Sequence, residues 1–520
     1  MRTDPAMSHA ADIARAMALH GAGQPAAAAA LYREVLAADP GHFDALHLLG
    51  VAVMAQGQAA EALALIDRAL AVHDDDAAAH CNRAVVLALL GRHADAAESA
   101  ARATALKPDF ASAHFQHGNA LKKIEQPGAA LEAYSRALEC DPAHVEARVN
   151  RAVLLSGQGR HAEALADAEF AVARAHDNAH AHYNCGFVLM RCGETARALT
   201  AFRRAVALQP DLAEAQFGVA ECLLSHGDFT SGWPQFEWRL RFPPLSTLAG
   251  RFTQPRWDGK ADISGKTILL TAEQGFGDVV QFCRYAHIVR RRGARVMLEV
   301  HAPLVRLLSQ SFADMPVIAH GAPLPPFDVH CPLMSLPFVL GAAEIPADVP
   351  YLTADPVRIA AWRERFGASA LNVGVAWAGR ATHQNDANRS ATLFAFKPLN
   401  LPGVRLVALQ PALTPAEQNF AAGLPGFVHV GDARNDFAEV AAQVAALDAV
   451  VTVDTVFAHI AGALGKPVFI VLSRASDWRW LQHRADSAWY PTARLLRQDT
   501  LGDWSAPLMG AAKALREMGK

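Results

Sequence analysis

Ala16, Gly50, Ala84, Gly118, Ala152, Gly186 and Ala220 follow one another at an unbroken step of 34 residues. Self-similarity at a fixed step of this length means an array of like units, each burying its apolar face against the next. A second series, Ala28, Ala62, Ala96, Ala130, Ala164, Ala198 and Gly232, keeps the same step, and Pro40, Pro108, Pro142 and Pro210 lie at multiples of it. The pattern makes seven units, each predicted to hold two antiparallel helices. Where such helices cross, only Gly or Ala lets the axes approach to about 8 to 10 Å. Leu49, Val53, Leu87, Leu121, Leu155, Leu189 and Leu223 lie one face away, and Tyr32, Tyr134, Phe202 and Phe236 share an offset on the second helix. These larger side chains are expected to fill the remaining gaps. Proline closes a unit because it cannot continue a helix. Asp74, Asp75 and Asp76 stand where one such proline would be, and read as a turn rather than a metal-binding motif.

A 34-residue unit of paired helices resembles the tetratricopeptide repeat. The resemblance implies an all-α solenoid over residues 8–242. The concave face of such a stack holds peptides or protein surfaces, and its other use is as a spacer or dimerisation device.

Beyond the repeats, 520 residues exceed what one core serves, and 52% hydrophobic against 19% charged residues excludes a largely disordered chain. A formal charge of -3 supplies no basic field for phosphates, so nucleic acid is not an expected partner. The first twenty residues lack an apolar export segment, and no apolar run reaches about 18 residues, so neither export nor a membrane span is expected and the cytoplasm is the default compartment. Seven cysteines without a CxxC pair argue against a disulfide framework or zinc ribbon and read as small buried hydrophobes. His180 and His182 near Cys185 and Cys192 match no common metal spacing.

The last unit decays into a junction, residues 243–265, around which Trp233, Phe236, Trp238 and Trp257 gather with several prolines. These aromatics are expected to cover the solenoid's last apolar face and dock it on the next domain. After Lys266 the pattern changes to short apolar runs alternating with amphipathic helices: TILLTA, DVVQFCRYAHIVRRRG, RVMLEV, PLVRLLSQS, PVIA. A second series runs from LNVGVAWAG through RLVALQ, FVHVG, EVAAQVAALD, AVVTVDT and HIAGALG to PVFIVLS. Buried parallel strands crossed over by helices account for both. We therefore expect two Rossmann-like lobes, residues 266–352 and 353–520, the second ending in a helix, with a cleft between them.

Two turns carry chemistry. EQGFGD puts Gly275 and Gly277 between a strand and a helix, where glycine permits a tight turn and the adjoining helix amides favour an anion. Asp278 is there either a helix N-cap or a functional carboxylate. In VTVDTVFAHIAGALGKPV a strand ends at Asp454 and Thr455 before a helix bearing His459, the place where open α/β sheets bind ligands. A diphosphate fits such a terminus, held by amides and the Thr455 hydroxyl, with His459 either a further contact or a satisfied histidine packed on the sheet.

ILLTAEQGFGD, VGVAWAG and the VDTVFAHIAGALGKPVFIVL block together resemble bacterial glycosyltransferases related to the heptosyltransferases, over about residues 266–500. The resemblance implies the two-lobed GT-B fold, with an acceptor-side first lobe and a nucleotide-sugar-side second lobe. Fusion to repeats is also similar in architecture to protein O-linked N-acetylglucosamine transferases and bacterial flagellin glycosyltransferases. By position, Asp278 matches the family's proposed general base, and Asp454, Thr455 and His459 match its donor-pyrophosphate motif. Gly275, Gly277 and Gly379 join them as implied donor contacts. In the polar segment RATHQNDANRS after Gly379, Arg389 is the implied cation that meets leaving-group charge. A nucleotide-sugar is the implied co-substrate, with no separate cofactor and no metal. Two features depart from the family. The first lobe is short, which we read as the repeat groove supplying the missing acceptor surface. DWRWLQHRADSAWYP matches no family motif, and its Trp478, Trp480, Trp489 and Tyr490 either stack a base or sugar or pack in a core.

The expected function is thus sugar transfer from a nucleotide-sugar to a hydroxyl of a protein held by the repeats. The alternatives are a catalytically silent scaffold, and an enzyme acting on a glycan or lipopolysaccharide.

Overall fold

The computed structural model describes residues 5–243, 245–248, 250–383, 385–433 and 435–519. Gln384 of the polar segment, Pro244 and Ala249 of the junction, and the first four residues lie outside them. An amino-terminal all-helical solenoid is followed by an α/β part with two parallel sheets. Among the described residues no helix is long and apolar enough to cross a membrane. The chain divides into two compact units, Met1–His176 and Asp177–Lys520. The division falls before the sixth repeat rather than at residue 242, so two repeats belong to the same unit as the α/β part.

In the first unit the helix pairs follow the 34-residue arithmetic. Ala16, Ala84 and Ala152 are buried, as are Ala28, Ala62, Ala96, Ala130 and Ala164. The glycine positions show why small residues are needed there: a Cβ on Gly50 would lie 2.6 Å from Ile66 Cγ1, and one on Gly118 2.6 Å from the Tyr134 ring. Asp76 caps the helix Ala77–Leu89 through a 2.6 Å bond from Ala79 N, so the acidic run is a turn. A buried polar cluster marks the fifth repeat, where Asp167 accepts from both Arg148 and Arg151 at 2.7 to 2.9 Å.

The second unit opens with repeats six and seven. Phe202 lies between two glycines, Gly186 and Gly218, each of whose added Cβ would meet its ring at 2.7 Å. The α/β part then lays down β1 (Thr267–Thr271), β2 (Arg295–Val300), β3 (Val317–Ala319) and β4 (Val329–Pro332) as one parallel sheet in the order β3-β2-β1-β4. The second sheet holds β5 (Leu371–Ala376), β6 (Val404–Ala408), β7 (Val428–His429), β8 (Ala449–Thr452), β9 (Val468–Leu472) and β10 (Ala493–Arg497) in the order β10-β9-β8-β5-β6-β7, also parallel. Each is a doubly wound arrangement whose order reverses beside its first strand, between β1 and β4 in one and β5 and β8 in the other. Strands β4 and β10 were not expected from the apolar runs. The long helix expected from Asp278 to Gly293 is instead broken by a tight turn over Cys283–Tyr285. Its carbonyls are diverted there: Val280 O accepts from the Tyr351 hydroxyl at 2.9 Å and Gln281 O from Arg284 Nε at 2.8 Å.

One apolar core runs through the seventh repeat and both lobes. Trp233 packs edge-on against Phe282 and Trp478, and Phe236 against Trp478. Trp257 is buried, whereas Trp238 is only half-buried, beneath the Arg241 guanidinium, and stays outside that core. Arg239, fully buried, forms a bidentate pair with fully buried Glu273 and donates to Ser335 Oγ at 2.8 Å. This fills the first lobe's reversal point with a side chain from the short helical turn Glu237–Arg241 that follows the last repeat helix. Arg284 is caged by Tyr351, Trp489 and Tyr490 and donates to the carbonyls of Pro346 and Trp489, tying the first lobe to the end of the second. Of the cysteines, Cys140 is exposed and Cys192 half-buried, and the other five are buried. Cys140 ends its helix at the surface, which the repeat pattern alone does not show.

Candidate active site

The two chemistry-bearing turns meet. β1 passes through Glu273 and Gly275 into the helix Phe276–Phe282, and β8 through Asp454 and Thr455 into the helix Val456–Ala463. A Cβ on Gly277 would lie 2.9 Å from His459 Cδ2, so glycine there allows the helices to close on each other.

Asp278 is not the N-cap. Gly275 holds that position, and Asp278, third in the helix, reaches back to accept from Gly275 N at 2.8 Å. The first turn was expected to offer its amides to an anion, but its own carboxylate occupies that place, and a phosphate there would meet like charge. The other Asp278 oxygen accepts from Arg479 Nη2.

Arg479 is the link that sequence reasoning missed. From one buried guanidinium it reaches Asp278 and Gln281 Oε1 (2.7 Å) of the first lobe and Asp477 Oδ1 (2.9 Å) of the second. Burial pushes the Asp278 carboxyl up against the pull of Arg479. Burial also works against the Asp477 charge, but Arg479 outweighs it and holds that carboxyl low. Asp454 is pushed up to about 6 by burial and by the neighbouring Asp477, with Arg389 and Arg479 opposing. The site therefore holds three carboxyl groups in different electrostatic settings around one arginine, a common arrangement at catalytic centres.

At the second lobe's reversal point, Thr455 caps the helix Val456–Ala463, accepting from Phe457 N at 3.3 Å, and lies 3.0 Å from the Thr452 hydroxyl. Gly379, just beyond β5, is the seat of Arg389: a Cβ there would overlap Arg389 Nη2. Among the described residues the guanidinium makes long contacts, to Asp454 O (3.4 Å), Arg380 O (3.5 Å) and Asp386 Oδ1 (3.3 Å). Arg389 and the Asp454 turn are thus together. His459 is buried, bonded through Nδ1 to the Tyr490 hydroxyl at 2.9 Å and stacked on Trp480. Burial, then Arg479, lowers it to about 3, so it is a neutral imidazole and not a cation for phosphate. Trp478, Trp480, Trp489 and Tyr490 are all buried and pack in the core.

The sixth and seventh repeats reach the same place. Arg191 Nη1 donates to Asn385 Oδ1 at 2.5 Å, and Glu221 faces Asp477, Arg479 and Arg191. The repeat arithmetic held no hint of either, because both lie at positions free to vary between units. For Arg479, the available signal was a charged pair set among tryptophans in DWRW.

These features define a repeat protein joined to a two-lobed α/β part. The repeats are tetratricopeptide repeats: models of that repeat match residues 19–85, 77–102, 115–186 and 179–212. Protein FlbA of Caulobacter vibrioides is 31% identical over 328 residues, covering 57% of this chain and 54% of FlbA. The chain thus spans about half the length of that curated relative. Helices of the repeats end at Phe236, short of half the chain, so this likeness extends beyond them. Among solved structures, YrrB, described as a TPR protein with an unusual peptide-binding site, is 23% identical, covering 35% of this chain and 95% of its own with a TM-score of 0.31. Pseudomonas aeruginosa pilF is 19% identical, covering 41% and 96% with a TM-score of 0.38.

Proposed function

We propose that the chain is a glycosyltransferase that moves a sugar from a nucleotide-sugar to a hydroxyl of a protein held by its repeats. The observation that carries this reading is the Arg479 guanidinium, which joins Asp278 of the first lobe to Asp477 beside the Asp454 turn of the second. A general base and a diphosphate terminus then lie near one arginine. Residues 266–352 serve as the acceptor side and 353–520 as the donor side, with residues 8–242 as the protein-binding part.

In the reaction, the acceptor oxygen attacks the anomeric carbon and the bond from that carbon to the diphosphate oxygen breaks. Asp278 takes the hydroxyl proton; burial raises its pKa, which makes it a stronger base, and Arg479 fixes its direction. The departing nucleoside diphosphate is met by the amides opening Val456–Ala463 and by Arg389, whose loose contacts leave it able to turn toward new negative charge. Gly379 gives Arg389 its place. Gly275 and Gly277 serve the site by shape.

The test is incubation of the protein with a panel of nucleotide-sugars and a cell lysate, followed by intact-mass analysis. Transfer or donor hydrolysis is expected with at least one donor, and neither with any would sink the reading. A second reading, a silent scaffold, is favoured by one observation: Asp278 and Thr455 already have partners within the chain. Calorimetry with Asp278→Ala separates the two. Retained donor binding with turnover lost by about 100-fold or more supports the enzyme, and no nucleotide binding by the unaltered protein supports the scaffold.

A further inference from the structure

We infer that Arg191, the last residue of a sixth-repeat helix, is a positioning residue for Arg389, so that the repeats govern the donor loop. The inference rests on the reading of the second lobe as a donor site. Arg191 closes the helix Ala179–Arg191 and, among the described residues, bonds the loop at Asn385 and at Asn388. Its Nη1 donates to Asn385 Oδ1 at 2.5 Å, and its backbone carbonyl accepts from Asn388 Nδ2 at 3.2 Å. These two asparagines bracket the turn Asp386–Arg389. Asn388 Nδ2 also donates to Asn385 Oδ1 at 2.8 Å, and Arg389 N to Asn385 O at 3.1 Å. Asn385 Nδ2 in turn holds the carbonyl of Ala475, after β9, at 3.0 Å.

Among the described residues the side-chain contacts of Arg389 itself are 3.3 Å or longer, and the shorter bonds belong to its neighbours. The backbone bonds of its turn are internal to the loop, and Arg191 holds that turn through the side chains of Asn385 and Asn388. A helix built for gripping a polypeptide therefore ends on the loop that carries the cation for the leaving group. A shift of that helix on protein binding moves Arg389 relative to the Asp454 turn. Nearby, Arg474 pairs with Glu194 at 2.9 Å, a brace between the same repeat and the second lobe whose side chain, among the described residues, bonds Glu194 and not the 380–390 loop. It supplies the control.

Hydrogen exchange on the full chain tests the coupling without reference to activity. Arg191→Ala is expected to speed exchange of amides between residues 385 and 390 while Arg474→Ala leaves them unchanged. Equal exchange in Arg191→Ala and the parent protein overturns the inference, as does an equal effect from Arg474→Ala. Calorimetry with uridine, guanosine, adenosine and cytidine diphosphates supplies the second arm. Arg191→Ala is expected to weaken the nucleotide that binds by about tenfold, Arg191→Lys to recover part of the loss, and Arg191→Ala in an Arg389→Ala background to add nothing. Full additivity overturns the inference and leaves the donor-site reading standing. If no diphosphate binds the unaltered protein, the donor-site reading falls and the inference falls with it, whatever the exchange shows.

Discussion

Arg389 and Gly379 show how a single missing atom can set up a site. The guanidinium, with its Nη2 foremost, occupies the space a Cβ at residue 379 would take. The intruding contact is the far end of a flexible side chain, so Gly379→Ala displaces the cation and leaves the backbone where it is. We predict a fall in transferase turnover of about 10- to 100-fold, the cost of misplacing one charge-stabilising group. The melting temperature is expected to stay within a degree or two, because no core contact is lost. A large drop in melting temperature, or full activity, counts against this account. The presence of Gly379, Asp454 and Thr455 at strand ends was legible in the motifs. Arg479 was not, because an ion pair between residues 201 positions apart leaves no periodic trace.

At the scale of elements, the repeat helices depend on matched sizes at their crossings. Gly118 faces the Tyr134 ring, Gly186 and Gly218 face Phe202, and Gly50 faces Ile66. Rings packed inside a helix pair cannot withdraw as the loosely held end of the half-buried Arg389 side chain can. Gly118→Ala is therefore predicted to destabilise by about 1 to 3 kcal/mol through overpacking, even though alanine favours a helix. Gly128→Ala, in the next helix with open space around it, should be neutral or slightly stabilising. Denaturant unfolding of the two variants checks the contrast, and equal midpoints would refute the crossing argument. Sequence spacing located Gly50, Gly118 and Gly186 since each lies in one repeat with its partner, and local geometry alone brings them together; Gly218, in the repeat after that of Phe202, stands outside the series. The break at Cys283–Tyr285 was hidden for the opposite reason: a hydroxyl from Tyr351, far along the chain, takes a carbonyl the helix would have used.

In the unit Asp177–Lys520 as a whole, charge collects where the last repeats, the first lobe and the second lobe converge. Glu221, half-buried on the helix Ala213–Ser225, is raised from 4.5 to about 8 by burial and then by Asp477, with Arg479 and Arg191 opposing. Its folded pKa is above its unfolded one, so the neutral form is favoured in the fold. Below pH 4.5 both states are protonated and nothing is lost; between 4.5 and 8 the unfolded chain gains by ionising, and above 8 the full cost is present. Glu221→Gln is therefore predicted to be more stable than the parent at about pH 9, by on the order of 1 to 3 kcal/mol, with the difference shrinking toward about pH 5. Melting curves across that range test it; a constant difference would refute it.

The amino-acid sequence by itself determined the repeats, the small and large positions of their series, the strands of both sheets apart from β4 and β10, and the glycine and aspartate turns at their ends. All of these are short-range patterns, set by helical period, strand alternation and the conformations glycine permits. Tertiary structure alone decided that Asp278 sits at the third helical position against Arg479, that the tryptophans after Asp477 are core, that Arg191 reaches the loop at Asn385, and that Glu221 faces Asp477 and Arg479. Those outcomes depend on burial and on charges meeting across lobes, and a side chain's surroundings exist only once distant segments have packed.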